Sequence, residues 1–427
     1  MTRRAVLVAD LGFGDAGKGT VVDYLTHAHA ADLIVRYNGG PQAAHNVVTP
    51  DGRHHTFAQF GSGLFHASAR TLLAEHVLIE PYAMLNEADH LRAVGVPDAL
   101  ARTTIDARCR VIAPPQQIAN RLRERARGAA AHGTCGMGIG ETVADALADP
   151  DDALRAGDLA NEAAIRRKLA GLTVAKRRAL GSLLDVAKPD ERRVFEDLSW
   201  IDTAAFIYRD VARQVRIASA DGVHATVREA RCAIFEGAQG VLLDEHFGFD
   251  PHTTWSDTTF RHADALLTAA GFDGDVRRVG VLRTYATRHG PGPFVSESAD
   301  LAKELPEPHN SHAGWQGRFR CGPIDLVGLR YALAALGGEV SLAVTHLDRL
   351  TRLPAVACVA YERDGVPVPP LVATVSAAAL AGVTPVLVPW PVESADAFVA
   401  ALETALGRRV VIRSFGSTWA DKTTHDE

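Results

Sequence analysis

The chain has 427 residues, enough for two or three small domains or one large α/β domain with insertions. Hydrophobic residues make up 47% and charged residues 22%, which permits a sizeable core and excludes a disordered chain. With 45 Lys and Arg against 51 Asp and Glu the net charge is −6, so nucleic acid is not an expected partner.

No apolar run approaches the ~20 residues of a membrane-spanning helix, so no membrane partner is expected either. The apolar part of residues 1–10 is short and meets Gly12 and Asp15 too soon for a signal peptide. The five cysteines (Cys109, Cys135, Cys232, Cys321, Cys358) share no paired spacing. That pattern argues against a disulfide framework or a zinc site and for a reducing, cytoplasmic setting.

In chain order, apolar runs at 5–9, 33–36, 233–235, 279–282, 340–345 and 410–413 read as buried strands, each followed by Gly or polar turn residues. Helix-like segments at 20–27, 161–184, 264–270 and 326–336 lie between them. Strands alternating with helices predict an α/β fold with a large, mainly parallel central sheet covered on both faces. Residues 95–230 are poor in strand runs and rich in Arg, Ala and helix formers. They are expected to form a mainly helical insertion within a single large catalytic domain spanning 1–427. Asp364-Gly365 predicts a hairpin between 356–363 and 366–371, whose prolines confine the second arm to an edge.

The segment Gly12-Phe13-Gly14-Asp15-Ala16-Gly17-Lys18-Gly19-Thr20 follows an apolar strand and precedes a helix. That is the setting of a phosphate loop: glycines let backbone N–H groups approach phosphate oxygens, the helix N-terminus adds positive potential, and Lys18 reaches a terminal phosphate. Gly19 stands where a Ser or Thr would ligate magnesium. Asp15, inside the loop, is the substitute candidate. The plainer alternative, a glycine-rich strand–helix turn, does not account for strand, glycines, lysine and helix in register.

This loop with its internal acid resembles that of the adenylosuccinate synthetase family, and the resemblance runs along nearly the whole chain. It is carried by Arg36-Tyr37-Asn38-Gly39-Gly40-Pro41-Gln42-Ala43-Ala44-His45, Gly133-Thr134-Cys135-Gly136-Met137-Gly138-Ile139-Gly140 and Phe235-Glu236-Gly237-Ala238-Gln239-Gly240-Val241-Leu242-Leu243-Asp244. It continues through Thr284-Tyr285-Ala286-Thr287-Arg288, Gly292-Pro293-Phe294, Gly317-Arg318-Phe319-Arg320, Thr345-His346-Leu347-Asp348 and Ser414-Phe415-Gly416-Ser417. The resemblance implies a GTP-dependent, Mg2+-requiring ligase, homodimeric and cytoplasmic. Such an enzyme phosphorylates the six-oxygen of inosine monophosphate and lets the amine of aspartate displace the phosphate.

The residues suit that chemistry. A lactam oxygen is a poor nucleophile and hydroxide a poor leaving group; removing the ring N–H proton cures the first defect and phosphorylation the second. The resemblance casts Asp15 as general base and magnesium ligand, with the Ala44 carbonyl as a second ligand. His45 contacts the transferring phosphoryl group, and Gln239 also falls at a catalytic position. Gly14, Gly17, Lys18, Gly19, Thr20, Arg320, His346, Asp348, Ser414 and Gly416 are assigned to the nucleotide; Asp348 can accept from guanine N1–H and the 2-amino group, which adenine lacks. Gln42, Cys135, Gln239, Thr254 and Arg318 are assigned to the other substrates.

Departures from the family pattern include Phe13 for a tryptophan and Ala16 for a glutamate in the phosphate loop, and Gln42 for an asparagine and Ala44 for a glycine in the second segment; the others fall in the acceptor and donor pockets. Cys135 replaces a phosphate-gripping threonine and Met137 a neighbouring arginine. The family's arginine donated across the dimer has only Arg155 as a counterpart, amid Asp149, Asp151 and Asp152. The aspartate-binding T-T-G-R reads Trp315-Gln316-Gly317-Arg318. These changes remove donors and add repulsion for a dianion. The expected function is therefore GTP-dependent C–N ligation of an amino acid, by resemblance aspartate, onto an acceptor other than standard inosine monophosphate. The alternatives are the ordinary synthetase reaction and a non-catalytic nucleotide-binding paralogue. Retention of both Asp15 and His45 argues against the last, because a binder needs no general base.

Overall fold

The computed structural model describes residues 3–305, 315, 317–371 and 375–425. Its centre is a ten-stranded sheet. From one edge to the other the strands are Lys422–Thr424, Val410–Ser414, Ser341–Thr345, Asp275–Arg283, Arg4–Asp10, Cys232–Glu236, Leu33–Arg36, Arg70–Leu73, Thr103–Asp106 and Arg216–Ala218. Every neighbouring pair is parallel except Val410–Ser414 with Lys422–Thr424.

The six apolar runs expected as strands are the six inner and near-edge strands of this sheet. Cys232–Glu236 is buried along its whole length, as a parallel strand covered on both faces must be. Helices Lys18–His29, Arg261–Ala270 and Leu326–Leu336 pack on the faces, and the largest apolar cluster joins Leu7, Phe235, Leu266, Leu329 and Val344.

Four sheet strands escaped the sequence reading, the edge strand Lys422–Thr424 among them. Arg70–Leu73, Thr103–Asp106 and Arg216–Ala218 are short and carry Arg or Thr rather than a continuous apolar run. Two of them lie within 95–230, so that stretch extends the sheet as well as supplying helices. Between them run Pro114–Arg127, Ile139–Ala148, Glu162–Leu180, Pro189–Glu196 and Trp200–Gln214. The helix-like segment at 161–184 is two pieces: Glu162–Leu180, ended by Gly181, then a 3-10 turn. The Val356–Arg363 hairpin turns at Asp364 and Gly365, both with positive φ, and its second arm is only Val366–Pro367. Thr384–Pro389 adds a third strand to that small sheet.

The architecture fixes where a site can form. Parallel strands all end on one side, and their carboxyl ends here lead into the phosphate loop, the Gly39–Gly40 segment, Gly237–Gly240 and His346. Ligands bind outside the carboxyl ends of such strands.

Candidate active site

The phosphate loop is organised by Asp10, the last residue of its strand. The Asp10 carboxylate accepts from the Gly12 N–H at 2.8 Å, the Ala16 N–H at 2.9 Å and the Lys18 ammonium at 3.0 Å. Lys18 is 3% exposed, so its charge is held in place before any phosphate arrives. Thr345 Oγ1 donates to the Ala16 carbonyl at 2.7 Å and Arg283 Nε to the Asp15 carbonyl at 2.5 Å, tying the loop to two neighbouring strand ends. Asp15 has φ 62°, a left-handed conformation rare outside glycine. Gln239 (φ 64°) and His346 (φ 62°) share it. Such conformations persist where surrounding contacts impose them, and they gather at functional sites.

Gly19 has a steric reason. A Cβ there would lie 2.7 Å from His45 Cβ and 3.0 Å from the His45 carbonyl carbon. The magnesium-ligating Ser or Thr of other phosphate loops cannot fit where the His45 strand presses on the helix start. Gly240 is equally constrained: its Cβ would meet the Gly12 carbonyl oxygen at 2.2 Å. The segment 237–240 thus seats directly on the phosphate loop.

His45 begins the strand His45–Val48, paired antiparallel with His54–Phe57. Its Nδ1 lies 2.5 Å from Glu236 Oε1, and Glu236 Oε2 accepts the Ser62 N–H at 2.9 Å. Burial would raise the Glu236 pKa, but Arg36 beside it, with His45 and Ser62, holds the carboxyl at about 2. Burial lowers the His45 pKa to about 4, against the pull of Glu236. The pair is a carboxylate and a neutral imidazole at neutral pH. Nδ1–H faces Glu236, which leaves Nε2 as the ring's other hydrogen-bonding atom. Burial raises the pKa of Asp15, opposed by Arg283 and Lys18.

These groups open onto one cavity of about 870 Å³. Gly14, Asp15, Gly17, Lys18, Gly19, Thr20, Gln42, Ala44, His45, Cys135, Gln239, Thr254, His346, Asp348, Ser414 and Gly416 all line it. Both polar atoms of the Gln42 amide are buried without a hydrogen-bond partner among the described residues, as a group awaiting a ligand would be. Asp348 pairs with Arg349 Nε at 3.1 Å. His346 is half-buried, with its ring edge-on to Tyr285 at 5.6 Å. Lys422 donates to the Gly416 and Thr418 carbonyls, and burial lowers its pKa to about 8.

Other predicted residues stand elsewhere. Arg318 and Arg320 are not on the cavity wall: both guanidiniums pair with Glu297, at 2.8 and 2.9 Å, and Arg318 is 67% exposed. Met137 packs with the apolar cluster of Leu78, Ile112, Ile139 and Val143, so it neither gives nor blocks a contact in the cavity. Arg155 donates to the Arg108 carbonyl of its own chain. Gln316 lies outside the described residues.

Several site residues, on the cavity wall or buried behind it, were missed in the sequence. Glu236 carried a legible signal, an acid ending an otherwise apolar strand. Asp10 had the same signal. Asn120, Arg123, Arg127 and His132 line the cavity near Cys135. Nothing in a helix as arginine-rich as Pro114–Arg127 distinguishes these two from the surface ones. Trp255, 50% exposed on the wall, packs against Gly140.

A magnesium ion keeps several waters and is held by one or two carboxylates plus substrate phosphates. Asp15 and the Ala44 carbonyl beside the phosphate loop fit such a partial donor set. Among the described residues no three His, Cys, Asp or Glu side chains form a closed metal cage.

The adenylosuccinate synthetase family model matches residues 7–420. The chain is 36% identical over 364 residues to the adenylosuccinate synthetase of Desulforudis audaxviator, covering 84% of this chain and 81% of that protein. It is 34% identical over 357 residues to that of Desulfovibrio desulfuricans, covering 83% and 80%. Among solved structures, the fully ligated adenylosuccinate synthetase of Plasmodium falciparum superposes with a TM-score of 0.79 at 22% identity, over 99% of both chains. The succinoaminodeoxyadenylate synthetase (PurZ) of cyanophage S-2L, bound to dGMP and to dATP as an energy donor, gives 0.63 at 18% identity, over 99% and 96%. The chain belongs to the adenylosuccinate synthetase family of ligases that form carbon–nitrogen bonds.

Proposed function

We propose that the chain joins aspartate to inosine monophosphate at the expense of GTP. The observation that carries this reading is the single cavity. It is lined by Lys18, Asp15 and His45, the last backed by Glu236, at the phosphate loop, and by Arg123, Arg127 and Asn120 beside Cys135. The two arginines, ion-paired with Glu141 and Glu124 at 2.8 and 3.0 Å, would turn cations to an anionic acceptor where the sequence had suggested that the grip was lost. The names of the curated relatives support the same reaction over the non-standard acceptor expected from the sequence.

In this reading Asp15 takes the acceptor's ring N–H proton, and burial, which raises its pKa, makes it a stronger base than an ordinary carboxylate. The freed oxygen attacks the γ-phosphorus and GDP departs. Asp15 and the Ala44 carbonyl would hold Mg2+, which supplies charge neutralisation for the phosphates. His45 starts neutral; anionic phosphates raise its pKa, and the imidazolium, braced by Glu236, donates from Nε2 to the charged oxygens. Asp348 reads the guanine edge. The donor amine then displaces phosphate.

A second reading keeps the chemistry but changes the acceptor. It is favoured by Cys135, whose burial raises its pKa and keeps it a neutral, weak donor, and by the Trp255 indole on the same wall. Incubation with GTP, Mg2+, aspartate and inosine monophosphate separates the two. Adenylosuccinate, identified by absorbance and mass, is expected. GTP turnover only with an acceptor lacking the 5′-phosphate would favour the second reading.

A further inference from the structure

The incoming amine poses a problem that the groups above do not solve. An amino acid carries –NH3+ at neutral pH and has no lone pair to attack with. Asp15 is committed to the acceptor's ring proton and His45 to the phosphoryl oxygens. A separate proton acceptor is needed where the donor binds.

His289 ends the strand Ala286–His289 and lines the cavity. That strand pairs antiparallel with Phe319–Gly322, His289 opposite Phe319, and the Gly290 N–H donates to the Arg318 carbonyl at 3.0 Å. His289 Nε2 lies 3.0 Å from the Gly317 carbonyl oxygen. A carbonyl only accepts, so Nε2 carries the hydrogen and the neutral ring keeps a lone pair on Nδ1. The ring is also held edge-on to Phe319, 5.9 Å between centroids. Tautomer and orientation are thereby fixed by Gly317 and Phe319, the residues flanking Arg318.

Of the other cavity histidines three have a bonded ring nitrogen, while His132 lies near Cys135 at the acceptor end. His45 is bound to Glu236, His346 bonds Thr345 beside the guanine-reading loop, and His252 Nδ1 is taken by the His132 carbonyl. The charged groups near His289 are Arg288 on its own strand, Arg320 on the facing one with Arg318 just before it, Glu297, which pairs with both, and Asp15 on the cavity wall.

We propose that His289 is the base that deprotonates the donor's ammonium group. This rests on the reading above, in which an amino acid is the donor. The ammonium gives one proton to Nδ1, leaving a neutral amine and an imidazolium that later discharges to solvent. The amine's electron pair forms the C–N bond as the C–O bond to the phosphorylated oxygen breaks. The second amine proton passes to the departing phosphate.

The test compares wild type with H289Q and H289N, using inosine monophosphate, GTP and Mg2+. The donor is either aspartate or hydroxylamine, an amine already unprotonated at neutral pH. With aspartate, turnover should fall about 100-fold, the ordinary loss for a missing general base. With hydroxylamine the deficit should shrink to a few-fold, and acceptor-dependent phosphorylation, followed by isotope scrambling in GTP without any amine, should persist. Equal losses with both donors would make His289 structural and overturn the proposal, as would no loss with either. Absence of product in wild type would instead remove the reading on which it rests, and the proposal with it.

Discussion

The two ends of the cavity differ in how they are held. At the phosphate loop Lys18 and His45 have buried partners, Asp10 and Glu236, and the loop backbone is tied by Thr345 and Arg283. At the other end Gln42 has an unsatisfied amide, Trp255 is half exposed, and Arg318 points to Glu297 outside the wall. Phosphoryl transfer requires charges fixed before the substrate arrives. Acceptor and donor recognition can be completed by the ligands themselves.

The largest effect should come from breaking the fixed end. Asp15→Asn removes basicity with little change in size, and turnover should drop about 100-fold or more. GTP affinity, measured by calorimetry, should change far less. Glu236→Gln leaves His45 without a charged partner. Losing a charge-assisted hydrogen bond costs ~1.5–3 kcal/mol, so turnover should fall by about one to two powers of ten with GTP binding retained. Gly19→Ser, which restores the usual magnesium-ligating residue type, should impair rather than help, because its Cβ collides with His45.

The His45–Glu236 pair also predicts a pH response. Both groups have folded pKa values below their ordinary ones: about 4 against 6.5 for His45 and about 2 against 4.5 for Glu236. Their contribution to stability is therefore full above pH 6.5. It is lost as pH falls, first through His45 down to about 4 and then through Glu236 towards 2. Thermal unfolding of the free protein should show this acid limb, and Glu236→Gln should reshape it. Nucleotide and acceptor binding should be accompanied by proton uptake, because the arriving anions raise the His45 pKa. Calorimetry in two buffers of different ionisation heat reads that uptake directly.

Smaller effects belong to the recognition groups. Asp348→Ala should narrow the preference for GTP over ATP by ~1–3 kcal/mol, the cost of leaving a base edge unpaired. Arg123→Ala should weaken inosine monophosphate, and Cys135→Thr should improve its binding only severalfold, since one neutral hydrogen bond nets ~0.5–1.5 kcal/mol. Met137→Arg should not help, because Met137 sits in an apolar cluster.

This last expectation reverses what the sequence alone suggested, and the reason is instructive. Glycines, Lys18, Asp15 and the apolar strands are short-range signals, so the fold's centre and the phosphate loop were legible. Arg70–Leu73 and Thr103–Asp106 were not, because their burial comes from neighbours rather than from a continuous apolar run. Motif position placed Met137 and Arg320 at the ligands; packing and Glu297 put their side chains elsewhere. Arg123 and Arg127 were invisible, because nothing local distinguishes a cavity arginine from a surface one.

The central claim is that the phosphate-loop end is a working phosphoryl-transfer centre independent of the remodelled end. It is tested most directly with GTP labelled with 18O in the β,γ-bridging position, plus Mg2+ and inosine monophosphate but no amine. Reversible phosphoryl transfer to the acceptor lets the β-phosphate of GDP rotate and scrambles the label. Scrambling that depends on the acceptor and vanishes in Asp15→Asn is the predicted result. Tight GTP binding with no scrambling under any acceptor would contradict the account.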